Sequence, residues 1–591
     1  MNPVNRPNAS RRELMDVALG RLPADLIINN ADVFNVWTGQ VRKNMQVLVR
    51  KDRIAHVGGM ESEGNTGDGA RVIDAGGKVL IPGFIDSHTH LAWLVKPDQY
   101  AGRILPLGCT TVITETMEIY PVAGISGVRE YISALQKQPM RFYTTLPAMT
   151  TINRSCMGMT GKDAKALDGM AGVGEAYWQT VLQNPDSFLP LFDRVLASGK
   201  VLEGHSAGAW GRKLSAYAAL GVTSCHEAVS AEQVMERLEK GFHVQIREGS
   251  IRSELAALSA IAGQDIDLSN ISLVSDGVTP GDLLSRGYME TIVQKAIDGG
   301  FRPDDAIRMA TLNPARHFRL DHDIGSIAPG RFADMVLIPD LETIRPELVI
   351  AGGKVAAENQ ILKARTVPHD FSPLSLDTVK LPADITKACL AVEAPDAQGP
   401  VRVRAVEFVT DLVTWECICS LPVSNRSVLP DIGNDVIKAV ALDRAKAPGK
   451  IFTGFVKGFG LSRGAVATSG GWDGSEIIAL GTDDRDIALA VNRIRKDRGG
   501  IALAVDGRIE NAFPLPVFGL LSHEPIERAA REIAGITERL QDLGCPLKDP
   551  MLSLSTLTGA AIPFLRISSE GLADLKTGEN RALFLDYDSK G

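Results

Sequence analysis

At 591 residues the chain is too long for one ordinary core, and at roughly 150 residues per domain it divides into three or four units. An apolar fraction of 45%, with 71 acidic against 63 basic residues, excludes an intrinsically disordered chain and disfavours a large positive surface for nucleic acid. No apolar run reaches the roughly 18 residues that span a bilayer, and the first residues lack the apolar stretch of a secretory signal. The seven scattered cysteines are never spaced Cys-x-x-Cys, so reduced, mostly buried thiols and a cytoplasmic protein without membrane or nucleic-acid partners are expected.

From Ala24 to about Val79, short β-branched runs (Leu26 to Ile28, Val47 to Val49, Ile54 to Val57) alternate with Asn, Gly and Asp turns, predicting a small β-unit; the stretch 59–69 reads as a polar loop. From Leu80 to about Ala315 apolar strands such as Thr111 to Thr114 alternate with helical stretches such as Lys213 to Leu220 and Ser253 to Ala262. That alternation predicts a parallel sheet wrapped by helices, of a length that suits a (β/α)8 barrel. β texture returns at Ile324 to Gly353, so the first β-unit is expected to be discontinuous, formed by 1–80 plus 324–365 around a barrel at 81–323. After a proline-bearing linker at 364–374, an α+β unit over 380–591 is expected, with helices at Asp484 to Lys496 and Glu524 to Gly544.

The sharpest chemical signal is Asp86-Ser87-His88-Thr89-His90. Residues two apart on a strand point the same way, so His88 and His90 can grip one ion. His205 and His226 each close a short apolar strand, and Asp276 closes Ile271 to Ser275. Catalytic groups collect at the carboxyl ends of barrel strands, so these five side chains are expected at one mouth. Any one of them alone reads as a hydrogen-bonded loop residue. A closed structural zinc would usually bring cysteine, and Cys225 is expected to turn away from His226 into the core. The deaminase signature of His-x-Glu with Pro-Cys-x-x-Cys is absent.

Several long motifs carry a resemblance: PGFIDSHTH at 82–90, GVGEAYW at 172–178, LEGHSAG at 202–208, LSAYAALGVTSCHE at 214–227, GFHVQIREGS at 241–250, RMATLNPAR at 308–316 and IGSIAPGRFADMVL at 324–337, then GFVKGFGLSRGA at 454–465, LAVNRI at 489–494 and FPLPVFGLLS at 513–522. The chain resembles the amidohydrolase superfamily, and the adenine deaminase family over nearly its whole length. The resemblance implies a distorted (β/α)8 TIM barrel holding two divalent metal ions, a flanking β-sandwich-like domain, a C-terminal domain peculiar to these deaminases, and a homo-oligomer. It implies that His88, His90 and Asp276 hold one metal, that His205 and His226 hold the other, and that Glu175 bridges them. By residue chemistry alone Glu175 reads as a solvated acid at a helix start. Nitrogen and oxygen donors without thiolate suit iron, manganese or zinc. Two such ions about 3.5 to 4 Å apart make a nucleophile of water at neutral pH, with Asp276 as proton carrier.

Three positions depart from the family. Met117, in Glu115-Thr116-Met117-Glu118-Ile119, stands where a histidine is expected; Gly277 follows Asp276 where the family has a second aspartate; and Gly471 to Glu476 replaces a His-Asp-Ser-His-Asn stretch, with Trp472 and Asp473 at its start. Met117 and Gly277 are expected to depolarise the pocket, and Gly277 to enlarge it for a bulkier or less purine-like molecule. Glu118 matches a family acid beyond a barrel strand and is a candidate substrate contact, as are Met117 and Asp473. Arg247 either orients substrate or forms a structural ion pair. Trp472 is either a lid stacking on a planar ring or a plug of its own domain. The expected activity is hydrolysis of a C–N bond in a small molecule, adenine-type deamination foremost; hydrolysis of another cyclic or linear amide and a non-catalytic metal-binding homologue are the alternatives.

Overall fold

The computed structural model describes residues 9–59, 69–148, 169–395, 399–562 and 564–585. All but the two ends of the polar stretch at 59–69 lies outside the described residues, as does Cys156. Eight strands form the barrel: Phe84–Thr89, Cys109–Thr114, Arg141–Leu146, Gly172–Tyr177, Val201–His205, Ser224–Cys225, His243–Arg247 and Ile271–Val274. They pair in parallel as an arc of five and an arc of three, in chain order. Every residue of these strands is buried, as expected where helices cover one face and packed side chains the other.

The two arcs are joined by single bonds in place of continuous ladders. Between the fifth and sixth strands, Thr223 N donates to Leu202 O (3.0 Å) and Gly204 N to Ser224 Oγ (3.2 Å). Between the eighth and the first, Asp276 N donates to His88 O (3.0 Å). There the buried Asp86 carboxylate accepts from Ser275 N (3.2 Å), Ser275 Oγ (2.6 Å) and Tyr288 OH (2.5 Å), so a side chain supplies the acceptors a missing ladder lacks.

Beside the barrel, one nine-stranded sheet takes strands from both sides of it in sequence: Val79–Pro82 pairs antiparallel with Met335–Ile338 and parallel with Leu26–Asn35. The C-terminal unit is an eight-stranded sheet that runs from the edge strand Thr414–Leu421 to Arg508–Pro514, with helix Asp484–Asp497 packed against it. It is tied to the barrel by a short parallel ladder between Leu94–Val95 and Leu521–Ser522 and by helix Ile526–Asp542, which packs on Pro280–Arg286. One apolar cluster runs through both.

The helix expected at 253–262 is broken. Ser253 is bridged to Glu248, and only Leu255–Leu258 is α-helical before a 3-10 turn at Ser259–Ile261. The thiols are less uniformly buried than expected: Cys389 is exposed, and Cys417 and Cys419 are half-buried. No helix of the described residues is long and apolar enough to cross a membrane.

Candidate active site

The barrel's carboxyl ends bring His88, His90, Glu175, His205, His226 and Asp276 together, all buried. Glu175 is the hub. Its Oε1 lies 3.0 Å from His90 Nε2 and 3.3 Å from His88 Nε2, and its Oε2 lies 2.9 Å from His205 Nδ1. Asp276 Oδ1 is 3.2 Å from His88 Nε2, and His205 Nδ1 is 3.2 Å from His226 Nε2. Two groups result, His88, His90, Glu175 and Asp276 on one side and Glu175, His205 and His226 on the other, each with its donor atoms within 4.8 Å of one another. Buried nitrogen and oxygen donors with no thiolate among them suit a divalent cation.

Bonds behind the rings fix which nitrogen faces inward. Glu118 Oε1 lies 2.5 Å from His90 Nδ1, which leaves Nε2 for the cluster. His205 Nε2 meets Ala561 O of the C-terminal unit at 2.8 Å, which leaves Nδ1 inward. Asp276 is one of few non-glycine residues with positive φ (54°), a conformation aspartate tolerates better than most, and the bond from its N–H to His88 O holds it there. Burial alone would raise the Asp276 carboxyl; hydrogen bonds from His88 and His90 and the charge of Arg247 outweigh it and hold the group well below the usual range.

Arg247 has no donor left for a substrate. Its Nη1 reaches Glu227 and Asp276 Oδ2 (3.1 Å), its Nη2 reaches Glu227 Oε2 (3.3 Å) and Glu254 Oε1 (3.0 Å), and its Nε reaches Glu254 Oε2 (3.0 Å). All five N–H groups of the guanidinium are engaged. The ion-pair alternative is the one realised, and it anchors Asp276.

Glu115 faces the same cluster. Burial pushes its carboxyl up to about 7, and Thr145 Oγ1 donates to its Oε2 at 2.7 Å. Gly174, one residue before Glu175, makes room for it: a β-carbon there would stand 1.9 Å from Glu115 Oε2. Glu115, Glu227, Glu254 and Tyr177 are not singled out by sequence, since their pairing depends on strand neighbours far apart in the chain.

Above the cluster is a cavity of about 240 Å³, walled partly by the C-terminal unit through Leu412, Val413, Trp472, Asp473, Ala561 and Ile562. Glu118 and Met117 do not line it: Glu118 is fully buried behind His90, and Met117 lies beside Tyr177, whose hydroxyl is 4.0 Å from its sulfur. Trp472 does not plug its own domain. Its indole sits 4.5 Å from the His90 ring and 5.1 Å from Trp93, centroid to centroid.

Gly277 does not enlarge the pocket. A β-carbon there would meet Trp472 Cη2 at 3.0 Å and Ile251 Cγ1 at 3.4 Å, so the indole occupies the volume that a side chain would take. Its φ of 110° also favours glycine. Asp473 accepts from Tyr177 OH and Ala560 N, both at 2.9 Å, through Oδ2, while its buried Oδ1 has no partner among the described residues; burial pushes its carboxyl up to about 6. Cys225 turns away from the cluster as expected, but into a polar pocket: Arg237 Nε donates to its sulfur at 3.1 Å and Ser206 Oγ is 2.7 Å away.

Residues 411–579 match the adenine deaminase C-terminal domain, and residues 71–161 and 197–357 match amidohydrolase families. An adenine deaminase of Clostridium botulinum (strain Loch Maree / Type A3) is 32% identical over 587 residues, covering 97% of this chain and 98% of its own. One of Rubrobacter xylanophilus is 34% identical over 586 residues, covering 95% of each. Among solved structures, a β-aspartyl dipeptidase of Fervidobacterium islandicum AW-1 aligns over 57% of this chain and 99% of its own at 18% identity and a TM-score of 0.48. Identity at this level over nearly the full length of both chains places the protein in the adenine deaminase family of amidohydrolases, hydrolases that act on carbon–nitrogen bonds other than peptide bonds.

Proposed function

We propose that the protein is a metal-dependent deaminase that converts adenine or a substituted aminopurine, with water, to the 6-oxo purine and ammonia or an amine. The observation that carries this reading is the single carboxylate of Glu175 joining two buried donor groups at the barrel mouth. His88, His90 and Asp276 would hold one divalent ion and His205 and His226 the other, with Glu175 between them; iron, manganese and zinc all suit the donors. Two ions so held would lower the pKa of a shared water toward roughly 7.

The chain's own residues do the rest. Asp276, with Oδ2 held by Arg247, takes a proton from the attacking water and returns it to the departing nitrogen. Trp472 offers an aromatic wall to a planar ring, and the unpartnered Oδ1 of Asp473 offers an acceptor to a ring N–H. Glu118 acts through His90 and is a positioning residue. We take the domains as 1–80 with 324–365, 81–323 and 380–591, in keeping with the sheet shared across the barrel. A cytoplasmic location fits the six described cysteines, all free thiols. A homo-oligomer fits the edge strand Thr414–Leu421, which exposes Trp415 and Ile418.

A second reading, hydrolysis of a cyclic or linear amide, is favoured by Met117 and Trp472 at positions where the family carries histidine. Incubating the metal-loaded protein with adenine and measuring ammonia and hypoxanthine decides between them. Turnover of adenine, or of N6-methyladenine to hypoxanthine and methylamine, is expected, and background rates on both would remove the deaminase reading.

A further inference from the structure

The inner cavity adjoins another at its outer end. It shares Ile251, Arg252 and Leu412 with a second cavity of about 590 Å³ that lies between the barrel loops and helix Ile526–Asp542. Those three residues form the boundary between the two, here called the neck. One side of it is fixed, because Arg566, fully buried, donates from Nη2 to Leu412 O at 2.9 Å and from Nε to Ile562 O at 2.7 Å.

The inner cavity has two arginines in its wall, and they differ in kind. Arg247 has all five donors engaged by carboxylates. Arg252 is half-buried, and its guanidinium makes no hydrogen bond or ion pair among the described residues; it feels the charge of Glu254, whose two oxygens are both held by Arg247. In the outer chamber the acids near the neck are occupied: Asp282 by Ser250 Oγ (2.6 Å) and Arg286 (3.1 Å), Asp411 by Lys548 N (3.0 Å), and Asp549 by Leu552 N (2.9 Å). Glu538 stands at the exposed rim. A guanidinium in the wall of the catalytic cavity, with no hydrogen-bond partner among the described residues, is a ready fork for an anion.

We propose that the neck is a substrate subsite: the natural substrate carries an arm ending in a carboxylate or phosphate, which passes Ile251 and Leu412 and is gripped by Arg252. This rests on the deaminase reading and narrows it, because free adenine would leave both the neck and the outer chamber unused. For an N6-carboxyalkyl adenine, water oxygen adds to C6, the C6–N6 bond breaks, and N6 leaves with a proton as the amino acid, giving hypoxanthine.

The test is calorimetric binding to the full-length, metal-loaded protein of three ligands: N6-propyladenine, N6-(2-carboxyethyl)adenine and N6-(2-phosphonoethyl)adenine. At least one acid-armed ligand is expected to bind tenfold or more tightly than the propyl compound, and whichever does so identifies the anion. Arg252→Gln is expected to weaken the acid-armed ligand at least tenfold more than the propyl compound, while Arg252→Lys restores part of the advantage. Equal binding of all three, or an Arg252→Gln loss shared equally by the propyl ligand, overturns the proposal. Hypoxanthine formation from adenine reports on the deaminase reading alone, so the two can fail separately.

Discussion

Glu118 Oε1 lies 2.5 Å from His90 Nδ1, on the far side of the ring from Glu175. A carboxylate behind a histidine ligand fixes its tautomer and raises its basicity, and loss of such a partner typically weakens metal binding 10- to 100-fold. Glu118→Gln is therefore expected to lower metal affinity by roughly that factor, measured by competition with a chelator. Unchanged affinity would show that His90 needs no such support.

The position of Glu175 between two donor groups makes its loss different in kind from that of any histidine. Glu175→Gln is expected to weaken both ions together, whereas His226→Ala should weaken one. Metal content after equilibrium dialysis separates the two patterns. Stoichiometric loss of a single ion in both variants would contradict the shared bridge.

Gly277 and Trp472 share one volume, so substitutions there should not add. Gly277→Asp alone forces a β-carbon to within 3.0 Å of the indole at a φ of 110° and is expected to lower stability and activity. Adding Trp472→His clears the space. The double variant is expected to recover part of the loss, with a coupling on the order of 1 kcal/mol in a thermal or chemical denaturation cycle. Strict additivity would mean that the contact is not felt.

Glu290, remote from the cluster, gives a pH signature. Burial pushes its carboxyl up to about 7 from an ordinary 4.5, partly offset by bonds to backbone N–H groups such as that of Tyr288. A raised carboxyl pKa means that the folded state holds the proton more tightly than the unfolded chain. Its contribution is complete below the ordinary value and is lost as pH rises through about 7. The wild type should lose up to about 3 kcal/mol of stability from this group between about pH 5 and pH 8. Glu290→Gln should flatten that slope, as read from denaturant midpoints; an unaltered slope would refute the assignment.

Much of the centre was legible because strand ends are local signals. His88, His90, His205, His226 and Asp276 each terminate a short apolar run, and a parallel barrel has only one face on which such ends can meet. Glu175 carries no such mark, being the fourth residue of a six-residue strand preceded by glycine, and only the resemblance singled it out. Illegible were the relations that depend on chain far away: Trp472 filling the space above Gly277, Arg247 engaged by three carboxylates, and Glu118 behind His90 rather than facing a ligand. Periodicity reports which way a residue points from its own element. It does not report what another element places in front of it.

The bond from His205 to the carbonyl of Ala561 spans 356 residues of chain. During synthesis the barrel can therefore emerge and close while one of its inner histidines still lacks the acceptor that fixes its tautomer. Maturation of the centre is thereby deferred until Ala561 has been made and folded back, and a nascent barrel that captured a cation early would do so with one ring still free to choose its proton.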